Sequence, residues 1–221
     1  METLPMKRPE PLALSALLSL ALLFAGPALA DPAADARSAM QGTIDEVLKV
    51  LRGPGSDEQQ RAQIETLAKQ RFDFTTMSKL VLKRDWKRFS APEQTEFVTQ
   101  FTEYLSASYG TRISRYKNEQ VATLGARNEG NGDVTVQTAI KGGQFDGATV
   151  DYRMRLLSGK WQVIDVVIEG ISLVSNFRQQ FADVIAKGGP KELLRRIKEK
   201  NEAGIVDAPP TSQPAAAQGT R

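Results

Sequence analysis

The chain contains no cysteine and no histidine. Without cysteine it has no disulfide, no thiol nucleophile and no site for the lipid that anchors bacterial lipoproteins. Without histidine it lacks the commonest general base and zinc ligand. A large excess of one charge is missing too. Lys and Arg number 29 against 26 acidic residues, net +3, and they are scattered, so no clustered basic face for nucleic acid is expected. Long apolar runs are equally scarce. One run, Leu12 to Phe24, follows Lys7-Arg8 and precedes Ala28-Leu29-Ala30. At about 1.5 Å per helical residue it is too short to span a bilayer comfortably. Basic pair, apolar run and small-residue site together read as a cleaved secretory signal over residues 1–30, with Asp31 as the mature start. No second such run follows, so a periplasmic protein without stable membrane insertion is expected.

What remains is enough for one domain with a good core. Its first part has helical spacing. Met40, Ile44, Val47, Leu48 and Leu51 form one stripe, ended by Gly53-Pro54-Gly55. Ser56 with Gln59, and Ser90 with Glu93, are capping-box patterns that open a second helix and a long later one. Asp73 is placed to cap a short helix between them. The long helix carries Phe97, Phe101, Tyr104, Leu105, Ser108, Tyr109 and Ile113 on one side. The period then changes. Segments 120–126, 133–141, 146–157 and 160–169 read as four strands, with Asn131-Gly132, Gly142-Gly143 and Ser158-Gly159 at the hairpin joints. Short joints make an antiparallel meander. A helix from about Ser172 to Ala186 follows, then another after Gly188-Gly189-Pro190 reaching Lys200. The expected arrangement is an α+β domain over residues 31–201. Residues 202–221, rich in Ala, Pro, Gln and Thr, read as a disordered tail.

Alternation sorts the strands into a greasy and a wetter face. Val134, Val136, Thr138 and Ile140 share a side. So do Val150, Tyr152, Met154 and Leu156, and likewise Ile164, Val166 and Ile168. Trp161, Val163, Asp165 and Val167 fall on the opposite, mixed face. Asp165 interrupts an apolar strand and is expected to pair with a nearby arginine such as Arg153.

Several of these segments resemble the MlaC family of periplasmic phospholipid carriers, also called the toluene-tolerance auxiliary family. The matching stretches are "RFDFTTMSKLVL" at 71–82 with Trp86, "PEQTEFVTQFTEYLSASY" at 92–109, "VDYRM" at 150–154, "WQVIDVVIEGISLVSNFRQQF" at 161–181 and "LLRRIKEK" at 193–200. One departure concerns a turn: where the family usually has Leu-Gly-Arg, this chain has Leu82-Lys83-Arg84. The resemblance implies an NTF2-like cone, a bent antiparallel sheet and helices around an apolar cavity. It implies a diacyl phospholipid as cargo and no cofactor or metal. The partners it implies are an outer-membrane lipoprotein complex and an inner-membrane ABC transporter with its periplasmic substrate-binding subunit. The implied role is to maintain outer-membrane lipid asymmetry.

On that reading the sequence assigns lipid contact to Leu105, Tyr109, Val136, Ile140, Val150, Tyr152, Met154, Ile168, Leu173 and Phe177. Arg112, one turn beyond Tyr109, is assigned to the head group, for which a guanidinium is suited. The physics is consistent. About 0.8 kcal/mol per exposed methylene makes a diacyl lipid of about thirty methylenes require roughly 20 kcal/mol of shelter. Apolar stripes alone are equally those of a solid core, which would suit a periplasmic protein-interaction module with no lipid. An enzyme on this fold is also conceivable, but Asp151, Asp165 and Glu169 are the only acids in or beside the apolar strands, and no nucleophile–base constellation accompanies them.

Overall fold

The computed structural model describes residues 31–113 and 119–204, without the side chains of Thr111 and Arg112. The segment 1–30, expected to be a secretory signal, lies outside those residues, as does all of the tail expected at 202–221 except its first three residues, of which Glu202 still belongs to the last helix. Helix α1 (Pro32–Arg52) begins where Asp31 accepts from the Ala33 amide at 3.0 Å, with proline in the first turn. Helix α2 (Asp57–Arg71) opens on the full capping box: Ser56 N donates to Gln59 Oε1 at 2.9 Å and Gln59 N donates to Ser56 Oγ at 3.2 Å. Asp73 caps α3 (Phe74–Leu82) by accepting from Thr76 N at 2.9 Å. A 3-10 turn over Lys83–Arg88 leads to α4 (Ala91–Ile113), where Glu93 accepts from both Ser90 N and Ser90 Oγ.

The sheet is one antiparallel meander of five strands in sequence order: β1 (Gln120–Asn128), β2 (Val134–Lys141), β3 (Thr149–Leu157), β4 (Lys160–Ile168) and β5 (Ile171–Ser172). The α+β class is as expected; the fifth strand is an addition. Glu169 and Gly170 both have positive φ, 49° and 78°, so a two-residue turn folds β5 back against the end of β4. Ser172 then caps α5 (Leu173–Glu202), its Oγ accepting from Ser175 N at 3.0 Å. The break expected at Gly188-Gly189-Pro190 is present, with φ 73° at Gly189 dividing α5 into two arms.

One face assignment needs correction. A bulge in β4 falls opposite the Arg153–Met154 step, so Asp165 pairs with Arg153 while Val163, not Ile164, pairs with Met154. The extra residue reverses the alternation. Trp161 and Val163 therefore join Val166 and Ile168 on the inner face. Ile164 is fully buried but lies outside the main apolar cluster.

That cluster fills the space between sheet and helices. The first arm of α5 runs antiparallel to α4, because Phe177 packs on Phe101 and Tyr104 (centroids 5.3 and 5.7 Å) while Phe181 packs on Phe97 and Phe101 (5.9 and 5.7 Å). Arg178 ties α5 to α3, donating through Nε and Nη2 to the Leu80 carbonyl at 3.1 and 2.8 Å. The second arm buries Leu193, Leu194 and Ile197, and Asn201 donates back to the Gln100 carbonyl at 3.0 Å.

Candidate apolar binding face

The helices meet the sheet on its flanks. Helix α1 lies on β1 and β2, while α2, α3 and α5 lie against β4. Helix α4 makes its main contacts with α2, α3 and α5, and none of the described helices packs broadly on the middle strand, β3. The consequence is legible row by row across the inner face. Val134, Met154 and Val163 are paired in register and are sealed, at 0, 2 and 0% exposure. The next row joins Val136 and Val166, both buried, to a half-buried Tyr152. In the row after that, Val150 and Ile168 are both half-buried beside a buried Thr138. Half-buried Val121 on β1 pairs with buried Ile140 beyond them.

Beyond the sealed row lie exposed Leu156 and half-buried Trp161, while on its other side half-buried apolar surface collects toward a single end of the sheet. The chain enters β1 there, α5 starts there, and the antiparallel packing of α4 on α5 brings Tyr109 to the same end. Arg52 holds the end of α1 in place, donating Nη2 to the Glu119 carbonyl at 3.0 Å.

Of the ten residues assigned from the sequence, four are half-buried at this face or its rim: Tyr109, Val150, Tyr152 and Ile168. Leu105, Val136, Ile140, Met154, Leu173 and Phe177 are buried. Phe177 belongs to the ring packing between α4 and α5. Ile140 stands apart from the main cluster. The side chain of Arg112 lies outside the described residues. Two inner-face residues were missed. Val121 sits in a strand with weak alternation, and Trp161 was assigned to the other face because the β4 bulge has no signature in a stretch that is apolar on both phases.

Polar groups on the inner face are internally satisfied. Thr138 Oγ1 donates to the Val150 carbonyl at 2.5 Å, and Thr123 Oγ1 donates to Gln41 Oε1 of α1 at 2.6 Å. Charge is kept to the outer face. Asp133, whose side chain has no exposed surface, takes salt bridges from Arg153 at 2.8 Å and Arg155 at 2.6 Å. Burial acts to raise the Asp133 pKa, but hydrogen bonds from Arg155 and Arg153 outweigh it, and the carboxyl ends below its ordinary value.

The expected Asp165–Arg153 pair is therefore corrected: Arg153 binds Asp133. Asp165 instead accepts from Ser172 Oγ at 2.6 Å and from Val174 N at 3.1 Å, so it serves the start of α5. Burial pushes its pKa up. Its partners are the Ser172 hydroxyl, which itself caps α5, and a backbone amide. Among the described residues there is no cluster of three or more potential metal ligands, and no helix is long and apolar enough to cross a membrane.

Comparison with known proteins agrees with this geometry. The family model described as MlaC protein matches residues 41–199. The toluene tolerance protein ttg2D of Pseudomonas putida is 26% identical over 178 residues, 77% of this chain and 82% of that protein. The crystal structure of a phospholipid-binding protein from Ralstonia solanacearum, in complex with a phospholipid, superposes with a TM-score of 0.70 at 26% identity, covering 77% of this chain and 98% of that one.

Proposed function

The chain belongs to the MlaC protein family, and from that premise we propose that it binds a diacyl phospholipid and carries it across the periplasm. The observation that carries the reading is the inner face of β3. Val150 and Tyr152, with Ile168 on β4, are half-buried apolar residues in the interior half of the fold, beneath a helical layer that packs on the flanking strands. Leaving such surface uncovered costs about 25 cal/mol per Å². An acyl chain laid along it would remove that cost for both partners. Tyr109, Val150, Tyr152 and Ile168 are the proposed lipid-contacting wall, with Val121 added. Leu105, Val136, Ile140, Leu173 and Phe177 pack behind it. The head group remains in water at the end where β1 begins.

The Ralstonia protein, described as holding a phospholipid, supports the cargo class. Family membership supports a binding or transport role over an enzymatic one. The longer route, from an outer-membrane lipoprotein complex to an inner-membrane ABC transporter, is proposed on family grounds and needs the secretory signal at residues 1–30 to be cleaved. Native mass spectrometry of the protein matured in a Gram-negative periplasm is the direct test. Discrete added masses of diacyl phospholipids, lost on delipidation, are expected. A bare polypeptide mass, with no extractable lipid and no uptake from vesicles, would overturn the proposal and leave an interaction module with a solid core.

A further inference from the structure

We propose that Met154 is the stop that sets acyl-chain length, closing the inner end of the site. The inference rests on the carrier reading above and goes beyond it by naming a selectivity determinant. Along β3, inner-face exposure runs from half-buried Val150 and Tyr152 to 2% at Met154, then back out to 53% at Leu156. Along β3 itself the apolar face is partly open on both sides of Met154 and shut at it. From Val150 to Met154 is four residues, about 13 Å at the rise of a strand, and this distance is the usable depth of the site along β3.

Within the sealing row, Met154 is flanked by Val134 on β2 and Val163 on β4. Both valines are short and branched and stay close to the sheet. Met154 is the one long, unbranched side chain among these three, and it is buried in the same cluster as the rings of α4 and α5. An unbranched thioether with three rotatable bonds suits this position, because it fills an irregular gap and adapts to a chain terminus pressing on it. Shortening residue 154 lengthens the site toward Leu156 and Trp161; a bulkier ring shortens it.

The test uses the whole mature protein, delipidated and offered vesicles of equimolar dilauroyl, dimyristoyl, dipalmitoyl and distearoyl phosphatidylglycerol. Bound species are read by native mass spectrometry. The wild-type protein is expected to show a preferred length. Met154→Ala should move the preference to longer chains, by about fourfold in relative occupancy per added methylene. Met154→Phe should move it to shorter ones, and Met154→Leu should leave it in place. The Phe variant keeps the test decisive if the Ala variant fails to fold. Lipid-loaded, cooperatively melting Ala and Phe variants with the wild-type profile would overturn the length stop and spare the carrier reading. A wild-type protein that takes up none of the four lipids would overturn both.

Discussion

Lys83 should be replaceable by glycine with a gain in stability. It ends α3 with φ 48° and ψ −121°, the conformation of the first central residue of a type II′ turn, where glycine is ordinarily required. Its amide donates to the Lys79 carbonyl, so the turn is held in place, and its side chain is exposed. The strained backbone of a non-glycine residue here costs on the order of 1–3 kcal/mol. Glycine removes that strain but loses about 0.5–1 kcal/mol through the greater freedom of its unfolded chain. The net expectation for Lys83→Gly is a gain of about 1 kcal/mol, or roughly 2–4 °C in Tm for a domain of this size. Urea denaturation of delipidated protein is the assay, because bound lipid would add its own stabilisation. Lys83→Ala is the control, since it removes the charge and keeps the Cβ. A glycine variant no more stable than wild type, or an alanine variant with the same gain, would refute the strain argument.

Three further outcomes follow from the same geometry. Val150→Asp places a carboxylate on the proposed lipid wall and should cut co-purifying phospholipid by roughly tenfold or more; once both are delipidated, its Tm should remain close to wild type because residue 150 is only half-buried, and undiminished lipid would place the cargo elsewhere. Asp133→Asn leaves Arg153 and Arg155 facing a neutral amide and should cost about 2–3 kcal/mol, less than a fully buried pair because both arginines keep about a third of their exposure. The ionised Asp133 is favoured by folding, so its contribution is present above the unfolded value near pH 4 and lost as pH falls through the lower folded pKa; the variant should lose part of its acid sensitivity in urea melts. Asp165 has the opposite sign. Burial raises its folded pKa, so the folded state binds the proton more tightly and stability declines as pH rises from the unfolded value through the folded one. Asp165→Asn keeps an acceptor for Val174 N and should be the more stable protein at neutral pH, with the gap closing in acid; a gap that widens on acidification would show that the charge supports α5.

By itself, the sequence determined what is local. Helix starts were legible because Ser56 with Gln59, Asp73, and Ser90 with Glu93 satisfy backbone groups within a few residues of themselves. The Ser158-Gly159 turn and the break at Gly189 were legible because positive φ selects few residue types. Residue-level resemblance brought in the cargo class, which no periodicity contains. The tertiary structure decided the rest. The β4 bulge could not be read in "VIDVVI", where both phases are apolar, and a two-residue β5 is shorter than any period. Asp165 and Arg153 are register neighbours, yet each has its partner elsewhere, since hydrogen bonding depends on which groups the fold brings alongside. The wall and the packing behind it are made of the same residue types. Val134 and Val150 lie one strand apart on one face, the first sealed and the second half-open, because exposure is set by where the helices come to rest, and that depends on contacts distant in the chain.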